Sequence, residues 1–197
     1  MLLIINMSIV KVQKIALCGG VGAGKTSIGQ RLSEQEPDEL YNSTIGVDYF
    51  ALRLPEYQTR INIWDLAGQL RFQTITLPYV RESDILIYVY DLSSHSSLRD
   101  IKNLHETYER LGIKARIIIV GTKRSKETQY NSCRTDGEQF AKKLDVPHWV
   151  LDSKANLGFD TLRESIIQEL ELKKCSLEDY DENLSSSRTC YLKCNII

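Results

Sequence analysis

The sequence has little of what would mark a secreted, membrane-spanning or nucleic-acid-binding chain. Its five cysteines, Cys18, Cys133, Cys175, Cys190 and Cys194, are odd in number, scattered, and include no CxxC pair. That spacing excludes a zinc ribbon and suits a reducing compartment better than a disulfide framework. Lys and Arg total 25 against 26 Asp and Glu, a formal net charge of -1, with no dense basic run. No field of one sign favours nucleic acid, so no nucleic-acid partner is expected. Long apolar runs are missing as well. The opening MLLIINMSIV is only about ten residues, too short to span a bilayer. It has no basic residue ahead of it and no small-residue cleavage site, so it reads as an N-terminal extension (1–9) rather than a signal peptide.

What is present suits one compact domain: 197 residues, 42% hydrophobic and 26% charged. Strand-like and helix-like segments alternate. VKVQKIALC (10–18) gives way to glycines and then to KTSIGQRLSEQ (25–35), a strand, loop and helix. DYFALRLP and QTRINIWDL flank a polar turn at Glu56 and Tyr57 and read as a hairpin. DILIYVYDL (84–92) and ARIIIVGT (115–122) are continuous β-branched runs, as in parallel strands covered on both faces. Helices are expected at 96–111, 134–144 and 158–174; the last carries Phe159, Leu162, Ile166, Ile167 and Leu170 at helical spacing. The domain is therefore placed at 10–174. Beyond it, 175–197 is acidic and then serine-rich, with little to bury, and reads as a flexible tail.

GGVGAGKT carries chemistry. Gly19, Gly24, Lys25 and Thr26 fit G-x-x-x-x-G-K-[ST] between a strand and a helix, the context that gives the pattern meaning. Small residues let successive backbone N–H groups face phosphate oxygens, Lys25 neutralises the β- and γ-phosphates, and the Thr26 hydroxyl can ligate Mg²⁺.

STIGVDYF (43–50), INIWDLAGQLRFQTIT (61–76), YVRESDILIYVYDL (79–92) and VGTK (120–123) resemble, in order and spacing, the small GTPases, and the Rab family most of all. The resemblance spans about residues 10 to 172. It implies an α/β P-loop NTPase G domain, a mostly parallel six-stranded sheet flanked by five helices. It implies a GTPase that cycles between GTP and GDP forms with Mg²⁺ in vesicular membrane traffic. Val21, Gly22, Ala23, Gly24, Lys25, Thr26 and Ser27 would hold the phosphates. Thr44 and Asp65 would join Thr26 at the metal, Asp65 through water. The Gly68 amide would sense the γ-phosphate; Gln69, orienting the attacking water, and Lys25, neutralising the phosphates, would be the catalytic residues. Thr122, Lys123, Ser125, Ser153 and Lys154 would hold the base.

Effector proteins would meet Tyr49, Trp64, Phe72, Tyr79 and the switch regions. An exchange factor, a GTPase-activating protein and a GDP-dissociation inhibitor are expected by the same resemblance. The ending CNII fits a C-a-a-X box with Cys194 prenylated, placing the protein on the cytosolic face of an endomembrane; Cys190 could carry a second lipid.

Departures from the family have physical consequences. Val21 stands where Ras has glycine and Rab proteins a small residue, crowding Gln69 and predicting slow hydrolysis. Pro37 replaces an aromatic ring against the guanine face. Leu70 replaces an acid that exchange factors use. Ser125 replaces the carboxylate that takes two hydrogen bonds from guanine N1–H and N2–H. Against the family's S-A-K, Asp152, Ser153 and Lys154 align so that the Ser153 N–H meets O6. These changes motivate an alternative, a pseudo-GTPase scaffold with weak or non-cycling nucleotide binding. An ATP-using P-loop enzyme is the remaining alternative, disfavoured because no substrate-binding insert is visible.

Overall fold

The computed structural model describes residues 11–37, 43–122 and 131–172; for Leu70, Asn131 and Ser132 only the backbone is described. The N-terminal extension, Lys123, Ser125, Cys190, Cys194 and the tail lie outside the described residues.

The strands are β1 (Lys11–Cys18), β2 (Val47–Leu54), β3 (Thr59–Leu66), β4 (Ile85–Asp91), β5 (Arg116–Thr122) and β6 (His148–Leu151). The helices are α1 (Lys25–Leu32), α2 (Gln73–Arg81), α3 (His95–Arg110), α4 (Asn131–Leu144) and α5 (Phe159–Glu169). One six-stranded sheet forms in the order β2-β3-β1-β4-β5-β6. Only β2 runs antiparallel to its neighbour, with Val47 opposite Leu66 and Leu54 opposite Thr59. The expected fold class holds.

Sequence explains the centre of the sheet. Every residue of β4, ILIYVYD, is buried, because it lies between β1 and β5 with helices over both faces. Neighbouring residues of β1 serve opposite cores. Ile15 and Leu17 join Ile28 and Leu32 of α1 and Leu162 and Ile166 of α5. Ala16 and Cys18 join Val80 of α2, Leu98 and Ile101 of α3, and Ala141 of α4. Each such aliphatic side chain contributes about 1.5–3 kcal/mol when fully buried. The two cores fix the register of the central strands and hence the position of the loops at their C-terminal ends.

Several boundaries differ from the sequence reading. The first helix stops at Leu32 rather than reaching 35, since the Ser33 hydroxyl bonds back to the Gly29 and Gln30 carbonyls and Glu34 takes a left-handed φ of 63°. The last helix ends at Glu169, not 174. There Glu171 turns left-handed at φ 52° and the Leu172 amide folds back onto the Ile167 carbonyl. The hairpin turn is a 3₁₀ turn over Pro55–Tyr57 closed by Gln58 at φ 45°.

Candidate functional site

The site forms at the C-terminal ends of β1, β3, β4 and β5, where loops leave a parallel sheet. Residues 19–24 connect β1 to α1. Gly22 and Gly24 have φ of 72° and 92°, a region an L side chain enters at a cost of roughly 1 kcal/mol or more. Gly24 also caps α1 without a side-chain bond, leaving the first-turn amides of the helix available to an anion. Lys25 and Thr26 open that helix, and Ser27, half-buried, follows.

Lys25 is buried, and its Nζ donates to the Gly19 carbonyl at 3.1 Å and the Gly20 carbonyl at 2.8 Å. The ammonium lies inside the loop whose carbonyls it ties together. Burial pulls its pKa below the ordinary lysine value, and the nearby Asp65 carboxylate opposes the shift. Asp65 moves the other way. Burial raises its pKa, against the Thr26 hydrogen bond, the Lys25 charge and the Thr44 hydrogen bond.

Residues distant in sequence meet here. Thr26 Oγ1 donates to Asp65 Oδ2 at 2.6 Å, and Thr44 Oγ1 donates to the same oxygen at 3.2 Å. The two hydroxyl oxygens are 3.2 Å apart. Asp65 is wholly buried, and its Oδ1 has no hydrogen-bond partner among the described residues. A buried carboxylate oxygen without a partner is costly unless a cation or ordered water completes it. Adjacent ligands of an octahedral Mg²⁺ sit about 2.9 Å apart, and the ion takes hard oxygen donors. The spacing and chemistry of this set fit such an ion. Among the described residues no cluster of His, Cys, Asp or Glu offers the softer alternative.

Gly68, after β3, packs flat on the phosphate loop. A Cβ at that position would fall 2.6 Å from the Val21 amide nitrogen and 2.7 Å from the Gly20 carbonyl oxygen. Only glycine allows that approach. Gln69 follows, half-buried, and accepts from the Phe72 amide through its carbonyl at 3.0 Å. Val21 is 53% exposed, and its backbone nitrogen is one of the atoms that Gly68 approaches. Ala23 is buried and its carbonyl receives the Thr122 hydroxyl at 2.8 Å. Thr122 Oγ1 also lies 3.1 Å from the Tyr90 carbonyl. Thr122 therefore joins β5 and β4 to the phosphate loop.

The second loop that the resemblance assigns to the base, residues 152–157, is built locally. The Asp152 and Leu157 backbones exchange hydrogen bonds of 3.1 and 3.0 Å. The Asp152 carboxylate accepts from the Lys154 and Ala155 amides, both at 3.1 Å. Sequence reasoning missed a further participant: Arg31 of α1 donates to the Ser153 carbonyl at 2.8 Å. No motif marks it, since the partners are 122 residues apart.

Among the aromatic residues, Trp64 lies between Tyr49 and Tyr79, with ring centroids at 5.0 and 4.8 Å. The Tyr49 hydroxyl donates to Asn62 at 2.9 Å and receives Arg60. Phe72 carries the Arg71 guanidinium over its ring at 4.8 Å. Pro37 is half-buried, and Leu70 begins a 3₁₀ turn ahead of α2.

Comparison with known proteins agrees with this arrangement. The Ras family model matches residues 14–172. Ras-related protein Rab-10 of Diplobatis ommata is 30% identical over 188 residues, covering 92% of this chain and 94% of that protein. Ras-related protein SEC4 of Candida albicans is 31% identical over 170 residues, 83% of this chain and 80% of its own. Ras-related protein Rab-15 of Rattus norvegicus is 32% identical over 180 residues, 90% of this chain and 82% of its own.

Proposed function

Since the chain belongs to the Ras family of small GTPases, we propose that it is a Rab-like GTP-binding switch in vesicular membrane traffic, hydrolysing GTP slowly. The observation that carries the reading is the meeting of Thr26, Thr44 and Asp65 around one unpartnered carboxylate oxygen. A hydroxyl from the first turn of α1, one from the segment before β2 and the acid near the end of β3 together form an oxygen set suited to one polyphosphate-bound cation.

In this reading Gly22, Ala23, Gly24, Lys25, Thr26 and Ser27 hold the phosphates through backbone amides, the lysine ammonium and the α1 N-terminus. Lys25 gives up its two carbonyl contacts in favour of the β- and γ-phosphates. Thr26 and Thr44 would hold Mg²⁺ through their hydroxyl oxygens and Asp65 through water, and the ion would supply charge neutralisation at the phosphates. Gly68 brings its amide to the γ-phosphate, and Gln69 orients water for in-line attack. Val21 narrows the space Gln69 needs. By the family resemblance Lys123 would lie along the base, the Ser153 amide would donate to O6, and Ser125 would supply a weaker acceptor than the acid it replaces.

Loss of the γ-phosphate releases Thr44 and Gly68. Because Tyr49, Trp64 and Tyr79 adjoin these segments, effectors, the activating protein and the exchange factor meet a surface that changes with the nucleotide. Attachment to an endomembrane proceeds through prenylated Cys194, with a GDP-dissociation inhibitor extracting the GDP form.

The test is nucleotide analysis of protein purified without added ligand. Stoichiometric GDP or GTP is expected. An empty site that does not load with guanine nucleotide would favour a scaffold that does not cycle, and ADP or ATP a different P-loop chemistry.

A further inference from the structure

Arg31, near the C-terminal end of α1, is a long basic side chain that turns inward, as Lys25 does at the start of the same helix. Its side chain is 11% exposed, and its guanidinium touches two other parts of the chain. Nε donates to the Ser153 carbonyl at 2.8 Å. One terminal nitrogen donates to the Lys154 carbonyl at 3.4 Å, and the other to Glu36 Oε1 at 2.8 Å. A planar fork with fixed donor directions can span consecutive carbonyls in this way; a lysine ammonium cannot.

Magnitudes rank these contacts. The Glu36 side chain is 85% exposed, so its ion pair is screened and weak. Carbonyl contacts from a buried cation are stronger, because an unpaired guanidinium there would be costly. The second base loop is thus fastened on both sides. Asp152 takes the Lys154 and Ala155 amides, while Arg31 takes the Ser153 and Lys154 carbonyls. The Ser153 N–H has no acceptor among the described residues.

We propose that Arg31 is a positioning residue for base recognition: by gripping the Ser153 and Lys154 carbonyls it fixes the loop that presents the Ser153 amide to the purine 6-oxo group. The proposal rests on the reading of this chain as a guanine-nucleotide switch. It matters more here than in a chain with an acid at position 125, because Ser125 reads the N1–N2 edge weakly and more discrimination falls on the O6 contact.

The test compares GDP with two analogues. In 6-thio-GDP sulfur, a poor and larger acceptor, replaces O6, while inosine diphosphate lacks only the N2 amino group. Release of each is measured for the natural protein, Arg31→Ala and Arg31→Lys, with thermal melting alongside. Both variants should release GDP faster. The preference for GDP over 6-thio-GDP should shrink by about threefold or more, the scale of one weakened hydrogen bond. The preference for GDP over inosine diphosphate should stay constant. Arg31→Lys keeps the stem and charge and so reports even if Arg31→Ala fails to fold.

An unchanged 6-thio preference in a folded variant overturns the proposal. So does equal erosion of both preferences, which would mark general loosening of α1 against its neighbours. If the natural protein binds no guanine nucleotide, the functional reading falls, and this inference with it; guanine binding that is indifferent to Arg31 removes the inference alone.

Discussion

Gly68 and Val21 meet backbone to backbone: a methyl group on the Gly68 Cα would fall 2.6 Å from the Val21 amide nitrogen. Backbone on both sides leaves no flexible side chain to yield, so Gly68→Ala should push residues 68–69 off the phosphate loop. Single-turnover GTP hydrolysis is expected to fall at least about tenfold, through misplacement of Gln69. Hydrolysis at the natural rate would show that this contact is dispensable.

Val21 lies on the same loop and is 53% exposed, so removing its side chain should leave folding intact. Unassisted family hydrolysis is on the order of 10⁻⁴ per second. Val21→Gly should raise this chain's rate several-fold, and Gln69→Leu should lower it. If Gln69→Leu slows the reaction while Val21→Gly does nothing, crowding is not the cause of slow turnover.

Asp65 is held in a state that suits a cation better than an empty site, since burial raises its pKa. Without divalent metal, Asp65→Asn should therefore melt at or above the natural protein's temperature. With Mg²⁺ and GDP the order should reverse, and release of a fluorescent GDP analogue should accelerate by about tenfold or more, the scale of one charge-assisted bond. Chelation should then add little. A variant whose release still responds fully to EDTA would place the metal elsewhere.

Membrane recovery should depend on Cys194. A single lipid gives marginal anchoring, and the tail has few basic residues to assist it. Cys194→Ser is expected to move the protein from membrane pellet to supernatant in fractionated cells. Unchanged pelleting would mean that another group, Cys190 or a bound partner, provides the anchor.

Mild acid should destabilise the domain through His148. The imidazole shares a 2.9 Å hydrogen bond with the Tyr90 hydroxyl, and burial lowers its pKa below 6.5, ahead of opposing attraction from Glu138. A depressed folded value means that His148's contribution is whole above pH 6.5 and is lost as the pH falls toward that value. Melting curves for the natural protein and His148→Gln should converge or cross on acidification. Parallel curves would assign the acid sensitivity to other groups.

The sheet and the phosphate loop were legible because their signals are local: a continuous apolar run for β4, glycine spacing for residues 19–24. Other parts were not. β6, HWVL, is short and half-buried over most of its length, so it shows neither alternation nor a full apolar run. α2 contains Pro78 and buries only Thr76 and Val80, a pattern that periodicity does not separate from a loop. The five-helix, six-strand count came from resemblance to the Rab family rather than from these segments. Arg31 illustrates a deeper limit. A helix arginine looks like solvent-facing charge until the tertiary fold brings residues 153 and 154 beside it.

The antiparallel pair β2–β3 has a mechanical consequence. Thr44 precedes one strand and Gly68 follows the other, and both leave the ribbon at the same end, where Val47 faces Leu66 and the Ala67 amide reaches the Gly46 carbonyl at 2.9 Å. Thr44 and Gly68 are the tips of a single pair of tongs, hinged on an eight-residue ladder. Tyr49 and Trp64 sit opposite each other on its arms. A protein gripping those rings would bear on both strands at once, and so on the segments that carry Thr44 and Gly68.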